Sequence, residues 1–299
     1  MNEPTHVPSS RNEGRFPGRV ACRVRRGATV ALAAFIAGYV LVVILVGVWQ
    51  RHLIYFPSRE LEGTPGDVGL AYEDVSFTAA DGVKLAGWYV PHATATATVL
   101  IFHGNAGNVS HRLHKLKVLH GLGYNSLIID YRGYGRSDGE PSEGGLYLDA
   151  QAAWNHLVES RGESPSRIVV LGRSLGGAVA IDLASRRRPA ALVVESSFTS
   201  LVDVGKFQYP FLPVAWILRD RFESIDKIGR VDCPKLFLHG QSDDLIPLSM
   251  AQALFDAASP PKLFVETPGD HNESGFTYAP VYAKALATFI TNVLAESGG

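Results

Sequence analysis

The sequence predicts an α/β domain with a doubly wound, mostly parallel sheet, preceded by one membrane-spanning helix. Short runs of Val, Ile and Leu recur without polar alternation, as in strands that are buried on both faces of a sheet. Helical stretches separate these runs, which is the rhythm of a doubly wound domain. A long uncharged run near the N-terminus of the 299-residue chain predicts the additional helix.

The N-terminal region predicts a tail and an anchor. Residues 1–27, rich in Pro, Ser, Arg and Gly, predict a disordered basic tail. Residues 28–49 contain no charge and no proline, and as a helix they reach about 33 Å, enough to cross a hydrocarbon core of about 30 Å. A cleavable signal peptide is the alternative, although its apolar part is usually shorter and ends in a small-residue site. An arginine excess before residue 28 predicts a cytoplasmic N-terminus and an extracytoplasmic large domain.

The remainder predicts a juxtamembrane linker over residues 50–71 and the α/β domain over residues 72–299. A hairpin is predicted around Asp81 and Gly82, because β-like runs flank this turn. The buried strands are predicted at 98–102, 126–131, 167–172, 191–195, 235–240 and 262–266. The interval 198–231 has several large apolar side chains and no clear strand, which predicts a short helical cap inserted between two strands.

A nucleophilic serine is predicted at Ser174. It is the centre of a G-x-S-x-G pattern that begins at Gly172 and ends at Gly176, between a predicted strand and a predicted helix. Such a turn is tight enough to require glycine on either side of the serine. It presents the hydroxyl above the sheet, at the start of a helix.

A serine hydroxyl needs a base, and the predicted base is His271 on the loop after the last strand. The predicted acid is Asp243, on the loop after the preceding strand, so that the chain order is Ser, Asp, His. Asp244 and Glu195 are the alternatives for the acid. Both loops leave the carboxyl ends of strands, where α/β sheets place their ligands.

An oxyanion hole requires two N–H donors. The backbone N–H of Leu175 is the first candidate, because it directly follows the serine. The second is predicted at Asn105, in the glycine-containing loop HGNAGN that follows the first buried strand. His103 begins this loop and is expected to brace it.

These motifs together resemble one family. The segments YFPS (55–58), HGNAGN (103–108), DYRGYGRSDG (130–139), GRSLGG (172–177), SSFTS (196–200), HGQSDDLIP (239–247) and GDHN (269–272) closely resemble membrane-anchored α/β hydrolases of the BEM46/ABHD13-like group. The resemblance covers about 240 residues and implies the α/β-hydrolase fold, a Ser-His-Asp triad and an N-terminal anchor. It also favours Asp243 over Asp244, because Gly240, Ile246 and Pro247 frame Asp243 in the register of the group.

The expected activity is hydrolysis of carboxylic esters or thioesters of acyl or lipid-like substrates, without a cofactor. Amide hydrolysis by the same fold and a non-catalytic membrane scaffold are the alternatives. No metal site is expected, because His111 and His114 share a helical face but have no carboxylate or cysteine at ligand spacing. The net charge of −1 gives no reason to expect nucleic acid as a partner.

The cap carries large apolar side chains that call for a role. They are expected to line or cover an acyl pocket, or else to pack the cap onto the sheet or touch lipid. These tentative pocket residues are Phe207, Tyr209, Phe211 and Trp216.

Overall fold

A computed structural model describes residues 17–272 and 279–297 of the chain. The chain divides into two compact units, Met1–Val48 and Trp49–Gly299. The boundary lies within one residue of the end of the predicted anchor.

The first helix is longer than the predicted anchor. Helix α1 spans Pro17–Ile54, so residues 17–27 are helical and the prediction that they belong to a disordered tail is wrong. Proline suits the first turn of a helix, and the four arginines between residues 18 and 27 are good helix formers. The predicted tail over residues 1–16 lies outside the described residues. The part Arg25–Ile54 is a candidate membrane span by length and composition, with a mean hydropathy of 2.7 and none of its most apolar stretch buried.

The strands of the second unit closely match those predicted from the sequence. In chain order the described strands are β1 (Phe56–Pro57), β2 (Glu73–Thr78), β3 (Lys84–Val90), β4 (Thr98–Phe102), β5 (Ala106–Gly107), β6 (Asn125–Asp130), β7 (Ile168–Arg173), β8 (Ala191–Glu195), β9 (Lys235–Gly240) and β10 (Lys262–Thr267). The main sheet has the order β10-β9-β8-β7-β4-β6-β3-β2. The pairs from β6 through β10 are parallel, and the hairpin β2–β3 forms the antiparallel edge.

Helices cover both faces of this sheet, as the doubly wound pattern predicts. The helices that follow α1 in the described residues are α2 (Leu113–Gly121), α3 (Glu143–Asn155), α4 (Leu175–Ala184), α5 (Leu201–Gln208), α6 (Val214–Ile217), α7 (Ile225–Ile228), α8 (Leu248–Ala257) and α9 (Ala279–Ser297). One buried cluster joins the sheet to α3, α4 and α8, and includes Leu146, Ala178 and Leu254. The other joins it to α2 and α9, and includes Leu116 and Leu286. Strands β4 and β8 are wholly buried between these layers, which explains their lack of polar alternation.

The interval 198–231 was predicted to be a short helical cap. It contains the short helices α5, α6 and α7 and no strand, and the structure describes all of it. The interval begins after the carboxyl end of β8 and runs to the amino end of β9. Gln208 within it donates to the carbonyls of Asp244 and Leu245, which follow the carboxyl end of β9.

The segment predicted as a linker over residues 50–71 is packed against the domain. Strand β1 pairs in parallel with β5, with Phe56 opposite Ala106 and Pro57 opposite Gly107. Ser58 N–H donates to the Gly107 carbonyl at 3.0 Å, and Gly135 N–H donates to the Ser58 carbonyl at 2.8 Å. We call residues 54–60 the strap.

Candidate active site

Ser174 lies at the turn between β7 and α4, in the middle of the sheet. Its backbone has φ 53° and ψ −119°, a left-handed conformation that is uncommon for a residue with a side chain. Ser174 N–H donates to the Glu195 carbonyl at 2.8 Å, and the Ser197 hydroxyl donates to the Ser174 carbonyl at 2.9 Å. These bonds to the end of the neighbouring strand β8 hold the strained turn in place.

The glycines of the G-x-S-x-G pattern are required by close packing. A Cβ on Gly172 would overlap the backbone of Gly176, and a Cβ on Gly176 would overlap the carbonyl oxygen of Phe102. Helix α4 therefore approaches the end of β4 without any side chain between them. The sequence predicted this requirement from the pattern alone.

The serine, the histidine and the aspartate form one hydrogen-bonded series. His271 Nε2 lies 3.1 Å from Ser174 Oγ, and His271 Nδ1 lies 2.7 Å from Asp243 Oδ2. The carboxylate is buried and the imidazole is nearly so, while Ser174 is only half-buried and reachable from solvent. With Nδ1–H donating to the carboxylate, Nε2 is free to accept the serine proton.

The loop after β9 contains both neighbouring aspartates, and it buries Asp243 while it leaves Asp244 exposed. Asp243 Oδ1 accepts the N–H groups of Leu245 at 3.1 Å and Ile246 at 2.8 Å, which leaves Oδ2 for the histidine. Asp244 is exposed. The other alternative, Glu195, is paired with the buried Lys115, whose Nζ lies 2.8 Å from its carboxylate. Of the three carboxylates only Asp243 faces the imidazole.

The HGNAGN loop lies beside the nucleophile. A Cβ on Gly104 would come within 3.6 Å of the Ser174 Cβ. His103 is buried, and its Nδ1–H donates to the Gly104 carbonyl at 2.7 Å. Burial lowers the pKa of His103 to about 3, so its imidazole is neutral. This placement fits the bracing role predicted for His103, while Leu175 N–H and Asn105 N–H stay predictions as oxyanion donors.

The strap fixes the conformation of this loop. The Asn105 side-chain amide donates to the Ile54 carbonyl and accepts a hydrogen bond from the Tyr134 hydroxyl at 3.0 Å. Asn108 Nδ2 donates to the carbonyls of Ser58 at 3.2 Å and Glu60 at 2.6 Å. The loop that lies against Ser174 is therefore bonded to the chain that directly follows the apolar helix.

The cap aromatics form an open surface. Phe207 is 52%, Tyr209 54%, Phe211 68% and Trp216 92% exposed, so they do not form the wall of an enclosed acyl pocket. Short helices of four to eight residues bury few side chains, which explains why these rings remain outside the core. The other two roles that the sequence left open, packing of the cap onto the sheet and contact with lipid, stay predictions.

Three supporting residues were not predicted from the sequence. Arg173 donates a hydrogen bond from its guanidinium to the His271 carbonyl, and the Ser197 hydroxyl donates to the Ser174 carbonyl. Gln208 Nε2 donates to the Leu245 carbonyl at 3.0 Å. The segment SSFTS (196–200) contains Ser197, but no spacing signal distinguishes it there. Arg173 and Gln208 bond to backbone carbonyls that are distant in the sequence, so no local motif predicts these contacts.

No metal-binding group was found in the described residues, within which no three His, Cys, Asp or Glu side chains cluster suitably. His111 instead lies 3.1 Å from Glu62 through Nε2, and 3.2 Å from Asn108 Oδ1 through Nδ1. These contacts brace the second half of the HGNAGN loop against the segment that follows the strap.

Comparisons with known proteins identify the family. A sequence model described as Serine aminopeptidase, S33 matches residues 93–226, a range that includes Ser174. The alpha/beta hydrolase domain-containing protein WAV2 of Arabidopsis thaliana is 35% identical, over 85% of this chain and 91% of that protein. Protein bem46 of Schizosaccharomyces pombe is 37% identical, over 80% of this chain and 86% of that protein. The chain therefore belongs to the α/β-hydrolase family, in the group that contains bem46 and WAV2.

A solved structure supports the same fold. The esterase PF2001 of Pyrococcus furiosus superposes with a TM-score of 0.69, covering 80% of this chain and 98% of that chain, at 23% identity. At this identity the likeness shows the fold alone.

Proposed function

We propose that the protein is a membrane-anchored serine hydrolase that cleaves carboxylic ester or thioester bonds of acyl or lipid-like substrates. The observation that carries the proposal is the hydrogen-bonded series Ser174–His271–Asp243, with distances of 3.1 Å and 2.7 Å. A buried carboxylate, an oriented imidazole and an accessible hydroxyl in this order are the parts of an acyl-transfer site.

The proposed mechanism has two steps. Ser174 Oγ attacks the carbonyl carbon while His271 Nε2 takes its proton, and His271 then delivers that proton to the leaving alcohol or thiol. Water, activated by the same imidazole, hydrolyses the acyl-enzyme and restores the serine. Asp243 stabilises the charged imidazolium, and the N–H groups of Leu175 and Asn105 hold the oxyanion.

Amide hydrolysis is the second candidate. The matched family model is described as a serine aminopeptidase, and the same triad geometry supports both reactions. The candidate membrane span and the exposed apolar side chains of the cap favour an acyl ester instead. A non-catalytic scaffold is disfavoured, because it would not need an oriented serine, histidine and aspartate.

Kinetics with the full chain in nanodiscs tests the proposal. We expect turnover of p-nitrophenyl acyl esters that exceeds turnover of aminoacyl p-nitroanilides. Ser174→Ala and His271→Ala should each lower kcat by several orders of magnitude, and the double variant should lose no more than either single variant, because the residues act as one unit. Near-normal turnover by a folded Ser174→Ala protein would refute the proposal, and preferential cleavage of the anilides would favour the second candidate.

We further propose a single-pass topology with a cytoplasmic N-terminus and an extracytoplasmic catalytic domain. Arginine is abundant before residue 28, whereas few basic residues closely follow the apolar run, and this asymmetry supports the orientation. External protease added to intact cells should digest the catalytic domain. A domain that is digested only after the cells are permeabilised would contradict the orientation.

A further inference from the structure

We propose that the exposed surface of the cap is a bilayer-docking surface, through which lipid-embedded acyl esters reach the triad. The surface comprises Phe207, Tyr209, Phe211 and Trp216, which we call the cap aromatic surface. This inference rests on the proposed function for the substrate, whereas the docking itself rests on the contacts of the cap.

The first argument is that the cap is bonded to the end of the apolar helix. The Gln50 side chain donates to the Ile217 carbonyl at 3.3 Å and accepts the N–H of Arg219 at 2.8 Å. The Tyr55 hydroxyl donates to Asp220 at 2.8 Å. Gln50 is 4% and Tyr55 3% exposed, so these polar contacts are part of the packed structure.

Chain connectivity then limits where the cap can lie. Gln50 and Tyr55 belong to the unit that begins at Trp49, and the candidate span includes residues up to Ile54. Gln50, near the end of α1, donates a hydrogen bond to the Ile217 carbonyl. The backbone of Trp216 therefore lies one peptide unit, about 3.8 Å, from a residue that is bonded to the end of α1. If the helix spans a bilayer, residues 216–220 lie at the membrane surface.

The second argument is the composition of the surface. Trp216 is 92% and Phe211 68% exposed, a large apolar exposure for short helices at the rim of a site. Between Val204 and Arg219 the chain contains no acidic residue, and Arg219 is exposed. Lys206 is also exposed and lies 3.5 Å from Asp203. Aromatic side chains accompanied by basic ones suit the headgroup region of a membrane that contains anionic lipid.

The third argument is that the cap is also bonded to the catalytic acid loop. Gln208 Nε2 donates to the carbonyls of Asp244 at 3.2 Å and Leu245 at 3.0 Å, directly after Asp243. Leu245 is 43% exposed and extends the apolar surface toward the triad. The cap therefore connects the end of the apolar helix with the loop that orients His271.

Site-specific fluorescence tests the docking without any need for catalysis. The chain has two cysteines; Cys22 is exposed, and burial raises the pKa of the Cys233 thiol to about 12, which makes it unreactive. In a Cys22→Ser background, Trp216→Cys and the control Arg188→Cys would each carry an environment-sensitive fluorophore. Arg188 is 90% exposed and follows α4 at the amino end of β8, whereas the cap aromatic surface follows the carboxyl end of that strand.

The full-length proteins would be placed in nanodiscs of phosphatidylcholine and phosphatidylglycerol, with a nitroxide on carbon 5 of the acyl chain. We expect the label at 216 to emit at shorter wavelength and to be quenched several-fold more strongly than the label at 188. Equal quenching at both positions would overturn the proposal. So would an apolar environment at 216 without quenching, since that result indicates a protein partner or a second copy.

A kinetic measurement tests the delivery of substrate. Phe211→Ser/Trp216→Ser should lower turnover of a bilayer-embedded long-chain ester by about tenfold or more, through lost burial of two aromatic side chains, and leave a water-soluble short-chain ester unaffected. An equal loss on both esters would overturn the delivery role. If the wild-type protein cleaves neither ester, the proposed hydrolase function fails, and the quenching still decides whether the surface docks.

Discussion

At the scale of single residues, the site depends on one strained position. Ser174 has φ 53°, a conformation that costs of order 1–3 kcal/mol for a residue other than glycine. Hydrogen bonds from Ser174 N–H and from the Ser197 hydroxyl offset that cost. The strain projects the hydroxyl away from both β7 and α4, toward His271.

Replacing Gly176 tests this packing. Gly176→Ala should destabilise the fold by about 3 kcal/mol or more and abolish activity, because its Cβ would overlap backbone atoms of β4 that cannot move independently. Gly144→Ala is the matched control: nothing lies within 4 Å of a Cβ there, and alanine in a helix should raise stability by about 0.5–1 kcal/mol. Thermal unfolding of both variants checks the prediction, and equal melting temperatures would contradict it.

The choice between neighbouring aspartates is a second residue-level prediction. Asp243→Asn should lower kcat by about 10⁴-fold, because an amide no longer selects the imidazole tautomer that accepts the serine proton. Asp244→Asn should have little effect, because Asp244 is exposed and contributes only its backbone carbonyl to the cap. Steady-state kinetics with one ester would decide, and a larger loss for Asp244→Asn would reverse the assignment.

The buried His103 predicts a pH dependence of stability. Its pKa in the folded protein is about 3, well below the ordinary value of 6.5, so between these values the unfolded chain binds a proton that the folded chain does not. Its contribution to stability is therefore lost as the pH falls below about 6.5. Relative to His103→Asn, the wild-type protein should lose about 2 kcal/mol between pH 7 and pH 5. Parallel stability curves for the two proteins over this range would contradict the prediction.

At the scale of elements, the strap is the feature that the sequence did not reveal. Residues 50–71 were predicted to be a juxtamembrane linker, yet residues 54–60 bond to the loop that contains Asn105. Strands of two residues, such as β1 and β5, are too short to show a hydrophobic periodicity, so the sequence cannot predict the pairing between them. The conformation of the HGNAGN loop thus depends on a distant segment as well as on its own glycines.

Asn108 provides the test of this dependence. Asn108→Ala removes two hydrogen bonds to the strap. It also removes the side-chain hydrogen bond by which Asn108 caps the N-terminus of the short helix Val109–Arg112, and it should destabilise the domain by about 2–3 kcal/mol in total. It should also lower kcat more than it raises KM, because the oxyanion donors move while the triad remains. Asn155→Ala is the control, since it removes the 2.6 Å bond from Gln151 at the end of α3. A kcat equal to that of Asn155→Ala would show that the strap has no catalytic role.

The sequence predicted the buried strands of the fold accurately, and it predicted the N-terminal helix and the cap less well. Strands β4, β8 and β9 coincide with the predicted runs, because a strand buried on both faces must be continuously apolar. The G-x-S-x-G turn was predicted because close packing restricts the residue types allowed there. Asp243 and His271 form a hydrogen-bonded series with Ser174, as the motifs predicted, and their catalytic roles stay predictions. Helix α1 was predicted too short, since its basic first turns resemble a tail. Whether the aromatic side chains of the cap are buried or exposed could not be predicted from the sequence, because these residues follow no helical or strand periodicity.

At the scale of the whole molecule, one chain combines a candidate membrane span with a complete Ser-His-Asp arrangement. Residues 50–54 contact both the HGNAGN loop and the cap: the Ile54 carbonyl accepts a hydrogen bond from Asn105, and Gln50 bonds to Ile217 and Arg219. The end of the candidate span, the HGNAGN loop and the cap therefore share contacts within one short segment. The domain is accordingly best studied as the full chain.

Covalent labelling of Ser174 tests the central claim most directly. The full-length protein in nanodiscs would be treated with a fluorophosphonate probe, digested and sequenced by mass spectrometry. The probe should modify Ser174 alone, and Ser174→Ala and His271→Ala should each abolish labelling. The control Ser242→Ala, which replaces an exposed serine beside Asp243, should label normally. A folded wild-type protein that remains unlabelled, or that is modified at another serine, would contradict the account.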